Sequence, residues 1–379
     1  IPSGIGTTMN FTEQEHVAAR LDGFDPEELG ALKHRLRLLD PFMVDDDVQE
    51  IAIDEPGGAW LWKSGHWSYV EVRDLDFAYL ATLGRNLANF TKKPFDRFNT
   101  SLSGHMPVTG ERIEMTHPPT CPEKQHYLNV RKHSVRSFPH DHLVEMGYYA
   151  HTRHEFALTI PDDQRKRIEA GLLDEERALW EMAKTGNWST FMKLAVESKQ
   201  NIVVSGATGS GKTSYLRSCV EFVPTYERLI TVEDTPEMPL PNHPNHNRLL
   251  YRKSDTNGEQ LEGATAKDVL HSAMRKTPDR VFMAELRGDE AMFYLSGVLA
   301  SGHPGGMTTT HANSPKDAFF RLAMLIKQST TGGGIDLKDI LMLLRQTVNV
   351  VVQLTFDRTK GRHVPAIYYD PIYRLSLLD

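Results

Sequence analysis

One octapeptide, residues 206–213, constrains the fold of this chain more than any other segment. It reads GATGSGKT and matches the pattern G-x-x-x-x-G-K-[ST], in which glycines let successive backbone N–H groups wrap a phosphate. An apolar segment, residues 201–205, precedes it, and residues 213–222 favour a helix that follows it. The order of strand, glycine-rich loop and helix therefore predicts a phosphate-binding loop at the carboxyl end of a buried strand.

The residues of this loop have distinct expected roles. The Lys212 ammonium is expected to reach the β- and γ-phosphates of a nucleotide, and the Thr213 hydroxyl is expected to hold Mg²⁺. The alternative, a glycine-rich turn without a ligand, is disfavoured by the flanking strand and helix. The predicted nucleotide-binding residues of the loop are Gly206, Ala207, Thr208, Gly209, Ser210, Gly211, Lys212, Thr213 and Ser214.

Acidic residues end two further apolar segments. Residues 228–232 run into Glu233 and Asp234, and residues 280–284 run into Glu285. Ligands of open α/β sheets bind at the carboxyl ends of strands, where a carboxylate can hold Mg²⁺ through water or orient an attacking water. Each acid alone could instead cap a helix. The three segments in order, each with polar chemistry at its end, favour one joint site.

Two histidines flank a fourth apolar segment, residues 307–310. His303 lies before it and His311 ends it. A neutral His311 could donate a hydrogen bond to a γ-phosphate oxygen. The two histidines could instead bind a metal, although no cysteine lies near them, and His303 could be a structural histidine.

Composition excludes several classes of protein. The 379 residues carry 43 Lys and Arg against 50 Asp and Glu, a net charge of −7, which is the wrong sign for a bulk electrostatic binder of nucleic acid. A local basic channel stays possible. No apolar run approaches the roughly 18–20 residues of a membrane-spanning helix. Cys121 and Cys219 cannot form a disulfide framework or a four-cysteine zinc site, and they fit a reducing cytoplasm.

The patterning along the chain predicts two domains. Short helices and strands mix over residues 9–150, which predicts a smaller α+β domain. Its first helix begins near Asp25 and carries leucines on one face, which could pack on the core or on a membrane or partner. Weak patterning over residues 134–164 predicts a linker. In residues 151–379, helices alternate with apolar strands, as is typical of a parallel sheet in an α/β fold.

Four motifs in order resemble those of a known family. They are the phosphate-binding loop, residues 230–237 (an aspartate box), residues 283–288 (MAELRG) and residues 302–312 (a histidine box). The chain resembles the hexameric secretion ATPases of type II and type IV systems, and more closely the type IV secretion and conjugation branch, over about residues 41–369. Two departures are the lack of the four-cysteine module of type II enzymes and Ala284 where many relatives have Gly.

The resemblance implies a fold and a set of site residues. The second domain is expected to be a RecA-like P-loop NTPase domain that binds ATP and Mg²⁺. Residues 110–113 and 130–132 resemble segments whose arginines contact the nucleotide in relatives, which implicates Arg112 and Arg131. The implied catalytic residues are Glu285 (polarising water), Lys212, His311 (sensing the γ-phosphate) and Glu233, and the implied Mg²⁺ ligands are Thr213 and Asp234.

The resemblance also implies a function and partners. We expect a homohexameric, cytoplasmic ATPase, peripheral to the inner membrane, that powers substrate transfer or pilus assembly in a conjugative or effector-delivery type IV secretion system. The expected partners are inner-membrane channel proteins, sister ATPases and a transferred protein or DNA–protein substrate. The alternatives are a RecA-like DNA-translocating ATPase, a metabolite kinase and a scaffold subunit that binds ATP without turnover.

Overall fold

The structure is a computed structural model, and its contacts group the chain into two compact units, Ile1–Val135 and Arg136–Asp379. The residues it describes are 30, 34, 36–63, 65–106, 110–132, 138–156, 160–251, 264–300 and 302–377. The helix start predicted at Asp25 lies outside the described residues. Leu39 is fully buried in the core of the first unit with Leu36 packed against that core, which agrees with the core-facing interpretation for these two leucines.

The first unit is built on one antiparallel sheet. Its strands follow the order β3-β2-β1-β6-β5-β4. Leu80, Leu83 and Leu87 on one face of the long helix α2 are fully buried in its core. Asp76 caps this helix by accepting a hydrogen bond from the backbone N–H of Tyr79 at 2.7 Å. The elements are α1 (Asp40–Met43), β1 (Val48–Ile53), β2 (Gly58–Lys63), β3 (His66–Glu71), α2 (Phe77–Thr91), β4 (Ser101–His105), β5 (Arg112–Thr116) and β6 (Tyr127–Arg131).

The second unit is an α/β structure around an eight-stranded sheet. The strand order is β10-β9-β11-β12-β8-β13-β14-β7, and every neighbouring pair is parallel except β13 and β14. Its strands are β7 (Arg153–Glu155), β8 (Ile202–Gly206), β9 (Leu229–Glu233), β10 (His246–Leu250), β11 (Arg280–Met283), β12 (Met307–Thr310), β13 (Val350–Asp357) and β14 (Gly361–Tyr369).

Helices cover both faces of this sheet. Ile202 and Val204 of β8 belong to one buried cluster and Val203 belongs to a second, because side chains alternate between faces along a strand. The helices are α3 (His140–Glu145), α4 (Asp162–Ala170), α5 (Asp174–Thr185), α6 (Trp188–Glu197), α7 (Lys212–Val220), α8 (Ala266–Met274), α9 (Glu290–Met292), a π-helix (Phe293–Leu299), α10 (Pro315–Gln328), α11 (Leu337–Thr347) and α12 (Pro371–Ser376). Among the described residues, no helix has the length and apolar character that crossing a bilayer requires.

The segment predicted as a linker, residues 134–164, contains regular secondary structure where the structure describes it. It contains α3 and the edge strand β7, which pairs with β14. Both elements are too short to give a clear periodic pattern. The hydroxyl of Tyr149 in this segment lies 2.6 Å from the hydroxyl of Tyr215 on α7, so the segment packs within the second unit. The division into domains 9–150 and 151–379 stays a prediction.

The strand order brings the predicted site segments together. Strands β9, β11, β12 and β8 are consecutive neighbours in the sheet and run parallel. Asp234 of the aspartate box, Glu285, His311 and the phosphate-binding loop each lie at or just after the carboxyl end of one of these strands. They therefore lie along one edge of the sheet.

Candidate nucleotide-binding site

The phosphate-binding loop connects β8 to α7, as predicted. Gly209 and Gly211 adopt left-handed backbone conformations, with φ of 78° and 93°, which favour glycine. Ala207, Thr208 and Gly209 are exposed at the tip of the loop, whereas Ser210 is buried and its hydroxyl donates to the carbonyl of Ala207 at 2.8 Å. The loop thus has the backbone form that a phosphate cradle needs.

The Lys212 ammonium is folded over this loop. Lys212 is the first residue of α7, and its Nζ donates to the carbonyl oxygens of Gly206 at 2.9 Å and Ala207 at 3.0 Å. Its Nζ also lies 3.4 Å from Nδ1 of His311, at the end of β12. The structure therefore brings the loop lysine and the predicted sensor histidine together.

The backbone that carries His311 is held from two neighbouring strands. The carbonyl oxygen of Ala312 accepts hydrogen bonds from the Ser205 hydroxyl at 3.4 Å and from Nε2 of Gln353 at 3.1 Å. Ser205 lies on β8, which neighbours β12, and Gln353 lies on β13, the next strand, so these two strands hold the backbone just after His311. Gln353 was not predicted as a site residue from the sequence.

Glu285 lies between a histidine and an arginine. Its Oε1 is 3.2 Å from Nε2 of His311, and its Oε2 accepts from Nη2 of Arg287 at 2.5 Å. The Glu285 side chain is mostly buried, and within the described part of the chain its Oε1 has no hydrogen-bond partner of good geometry. This buried acceptor is the kind of group that a catalytic water or a metal-bound water would satisfy.

Arg287 joins the acid of β11 to the aspartate box. Its Nη1 donates to Oδ2 of Asp234 at 3.2 Å, so one guanidinium spans two carboxylates on adjacent strands. The hydrogen bond with Glu285 raises the pKa of Arg287 above its ordinary value, with smaller contributions from the charges of Glu285 and Asp234. This role of Arg287 was not predicted from the sequence, although its position two residues after Glu285 was a signal.

Glu233, predicted as a catalytic residue, is fully buried and has four polar partners. Its Oε2 accepts from the backbone N–H groups of Glu237 at 2.6 Å and Met238 at 2.8 Å. Its Oε1 accepts from the Thr231 hydroxyl at 2.7 Å and from Nε of Arg248 at 3.3 Å. The carboxylate therefore anchors the loop that follows β9.

Glu237 is the acid that contacts the predicted Mg²⁺ ligand Thr213. The Thr213 hydroxyl donates to Oε2 of Glu237 at 3.4 Å. Ser214, the next residue and the last of the predicted loop residues, is half-buried on α7. A hydroxyl with a nearby carboxylate fits Mg²⁺, which takes few protein ligands and keeps phosphate and water oxygens for the rest. Glu237 is the last residue of the aspartate box, and no role was predicted for it from the sequence.

The metal interpretation of the histidines has no support in the structure. Among the described residues, no three His, Cys, Asp or Glu side chains are grouped so that they could hold a metal ion. Nδ1 of His303 lies 3.0 Å from the carbonyl oxygen of Pro278, and since a carbonyl only accepts, this nitrogen is the donor. His303 is thus held as a structural histidine.

The two arginines implicated by the resemblance lie in the first unit. Arg112 on β5 and Arg131 on β6 are direct cross-strand partners. Nε of Arg131 lies 3.6 Å from Oε1 of Glu50 on β1. Their role in nucleotide binding stays a prediction.

Comparison with known proteins places this site in a family. The model of the type II/IV secretion system protein family matches residues 171–362. The type IV secretion system protein VirB11 of Brucella suis is 33% identical over 350 residues, which cover 92% of this chain and 92% of the relative. This chain belongs to the type II/IV secretion system protein family. The matched segment contains all four motifs.

Two further type IV secretion system proteins are nearly as similar over more than nine-tenths of the chain. VirB11 of Bartonella quintana is 32% identical over 352 residues, covering 93% of this chain and 96% of the relative. The type IV secretion system protein PtlH of Bordetella pertussis is 30% identical over 351 residues, covering 91% and 96%. The predicted resemblance to the type IV branch of the family is confirmed.

Two solved structures have a similar fold. The crystal structure of the VirB11 ATPase from the Brucella suis type IV secretion system in complex with sulphate matches with a TM-score of 0.50 and 32% identity, covering 91% of this chain and 99% of that one. The pilus retraction motor PilT with bound ADP matches at 14% identity with a TM-score of 0.53, covering 89% and 84%, and shows the fold alone. The predicted fold class is confirmed.

Proposed function

We propose that this chain is the ATP-hydrolysing motor subunit of a type IV secretion system. The observation that carries the proposal is a continuous series of contacts at the carboxyl edge of the sheet, from Lys212 through His311, Glu285 and Arg287 to Asp234. It joins the phosphate-binding lysine to the acids that ATP hydrolysis requires. The family and its type IV relatives support the same activity.

The loop residues bind and orient the triphosphate. The N–H groups of residues 206–214 and the partial positive charge at the start of α7 attract phosphate oxygens. Lys212, now bonded to two loop carbonyls, exchanges them for β- and γ-phosphate oxygens. When bound, Mg²⁺ neutralises phosphate charge, and Thr213 with Asp234 or Glu237 would hold it, directly or through water.

Glu285 orients and polarises the attacking water. Its buried Oε1 is available as an acceptor, while Arg287 holds Oε2 and fixes the orientation of the carboxylate. His311 contacts both Glu285 and Lys212. A γ-phosphate that accepts a hydrogen bond from the His311 ring therefore changes both contacts together. This gives the histidine the role of a sensor of the γ-phosphate.

Glu233 acts one step away from the chemistry. Because its carboxylate binds the backbone after β9, it positions Asp234 and Glu237 rather than contacting Mg²⁺ itself. Either Asp234 or Glu237 then contributes the acid of the metal site. This assignment replaces the catalytic role that the sequence suggested for Glu233.

The assembly and partners are proposed from the resemblance. Arg112 and Arg131 bind the nucleotide and stabilise charge that develops during hydrolysis. The subunits form a homohexamer that is cytoplasmic, peripheral to the inner membrane, and docked on channel proteins and sister ATPases. Its substrate is a protein, a pilin subunit or a DNA–protein complex.

The test compares hydrolysis and secretion in matched variants. Lys212→Ala should abolish ATP hydrolysis by the purified chain and should fail to restore substrate transfer in a strain that lacks the gene. Lys193→Ala removes an exposed lysine of α6 that lies 4.0 Å from Glu197, and it should match the wild type in both assays. Unchanged hydrolysis in Lys212→Ala would refute the motor proposal. Wild-type hydrolysis that rises only with added DNA would favour a DNA translocase.

A further inference from the structure

The hairpin of β13 and β14 reaches the tip of the phosphate-binding loop. Arg362, near the start of β14, donates a hydrogen bond from its Nε to the carbonyl oxygen of Gly209 at 3.1 Å. This contact joins residues 153 positions apart in the sequence. The contact links the hairpin to the exposed part of the loop, and Arg362 belongs to none of the four motifs.

The stem of Arg362 also covers the loop. Its Cδ lies 3.0 Å from the position that a Cβ atom on Gly211 would occupy, and the hydroxyl of Tyr148 lies 4.0 Å from the same position. Gly211 has a φ of 93°, so its backbone turns toward this surface. Arg362 and Tyr148 therefore both lie close to the loop at Gly211.

The hairpin holds Arg362 in place. The Asp357 carboxylate accepts from the backbone N–H groups of Thr359 at 2.7 Å and Lys360 at 3.0 Å, which fixes the turn. After the arginine, the N–H of Val364 donates to the carbonyl of Tyr148 at 2.8 Å. The guanidinium itself lies 5.5 Å from the centre of the Phe356 ring, on the paired strand.

The hydrogen bond has a consequence for phosphate binding. A loop that offers N–H groups to a phosphate must turn its carbonyl oxygens outward, because an inward carbonyl would repel the anion. A hydrogen-bond donor that binds such a carbonyl stabilises it in that orientation. Arg362 provides this donor to the carbonyl of Gly209, the exposed glycine at the tip of the loop.

We propose that Arg362 is a positioning residue for nucleoside di- and triphosphates: it binds the Gly209 carbonyl and so holds the loop ready for phosphate before the nucleotide arrives. This inference rests on the proposed nucleotide site. Arg362 acts through the loop, so the loss of its side chain weakens nucleotide binding and leaves the chemical step at Glu285 intact. The expected signature is a higher KM with an unchanged kcat.

The test separates the donor at Nε from the charge. Arg362→Met keeps the stem and removes the donor. Arg362→Gln places an amide nitrogen at nearly the position of Nε without charge. Arg358→Met removes an exposed arginine from the same turn and is the matched control. The full chain is titrated with fluorescent ADP, KM and kcat are measured for ATP, and thermal unfolding is recorded.

Arg362→Met should bind ADP about tenfold more weakly than the wild type, as expected for the loss of one hydrogen bond, with kcat changed less than about twofold. Arg362→Gln should recover most of this affinity, and Arg358→Met should bind as the wild type does. If Arg362→Met does not fold, the comparison of wild type with Arg362→Gln decides, with near-equal affinity expected.

Two results would overturn the inference. Wild-type affinity in Arg362→Met would show that the bond to Gly209 does not prepare the loop. A tenfold loss in Arg362→Gln would show that charge, rather than the Nε donor, is what matters. A wild-type chain that binds ADP but hydrolyses no ATP would refute the proposed function and leave the role of Arg362 intact, so the two failures are distinguishable.

Discussion

Replacing Glu233 by alanine should destabilise the second unit severely, because this buried carboxylate satisfies several groups at once. The substitution leaves the backbone N–H groups of Glu237 and Met238 without their acceptor and the Arg248 guanidinium without its carboxylate. Each unsatisfied buried donor costs about 1–3 kcal/mol, and breaking a buried pair costs about 3–5 kcal/mol. Because Arg248 is partly exposed and can regain water, we expect a total loss of about 3–5 kcal/mol.

Calorimetric or urea unfolding of the full chain measures this loss. For a unit of this size, about 4 kcal/mol corresponds to a decrease of roughly 10 °C in the unfolding temperature. Glu233→Gln keeps one carbonyl acceptor but turns an amide toward the remaining donors, so an intermediate loss is expected. Glu197→Ala removes a glutamate of the exposed pair with Lys193, and it should change stability by less than about 1 kcal/mol.

A different outcome would refute the anchoring role. If Glu233→Ala unfolds at the wild-type temperature but hydrolyses ATP hundreds of times more slowly, the carboxylate acts in the chemistry. Equal stability of Glu233→Ala and Glu197→Ala would likewise contradict the account. The anchoring account predicts instead that stability falls both with and without nucleotide.

Two further predictions concern buried titratable groups on or beside α7, the helix that follows the phosphate-binding loop. Burial lowers the pKa of His140 from 6.5 to about 4. As the pH decreases, the unfolded chain therefore binds a proton at this histidine before the folded chain does. The contribution of neutral His140 to the free energy of unfolding is complete above pH 6.5 and decreases by up to roughly 3 kcal/mol as the pH decreases to 4. His140→Gln should flatten urea unfolding midpoints between pH 7 and 5, and an unchanged slope would contradict this. Burial raises the pKa of Cys219 to about 12, so a disulfide reagent should label this thiol only after unfolding, and rapid labelling of the native chain would contradict its burial.

Much of the site could be predicted because its determinants are local. The glycines and Lys212 of residues 206–213 specify backbone and charge within eight positions, and the structure has the predicted strand, loop and helix there. The buried strands were recognisable as short apolar runs, since a parallel sheet covered on both faces excludes polar residues from their centres.

The remainder depends on contacts between distant residues. Sequence position does not distinguish Glu233 from Glu237, yet one carboxylate turns into the core and the other toward Thr213. The span of Arg287 across two strands, and the reach of Arg362 to Gly209, arise only when the sheet assembles. Short elements such as β7 carry too few residues for a periodic pattern.

The most direct measurement of the central claim is the ATPase activity of Glu285→Gln beside its affinity for ATP. The amide keeps the size and one acceptor of the carboxylate but cannot polarise water as an anion does. The account predicts ATP affinity within about threefold of the wild type and a kcat lower by roughly 100-fold or more. A variant that binds ATP normally and hydrolyses it at the wild-type rate would contradict the assignment of Glu285 and, with it, the proposed catalytic site.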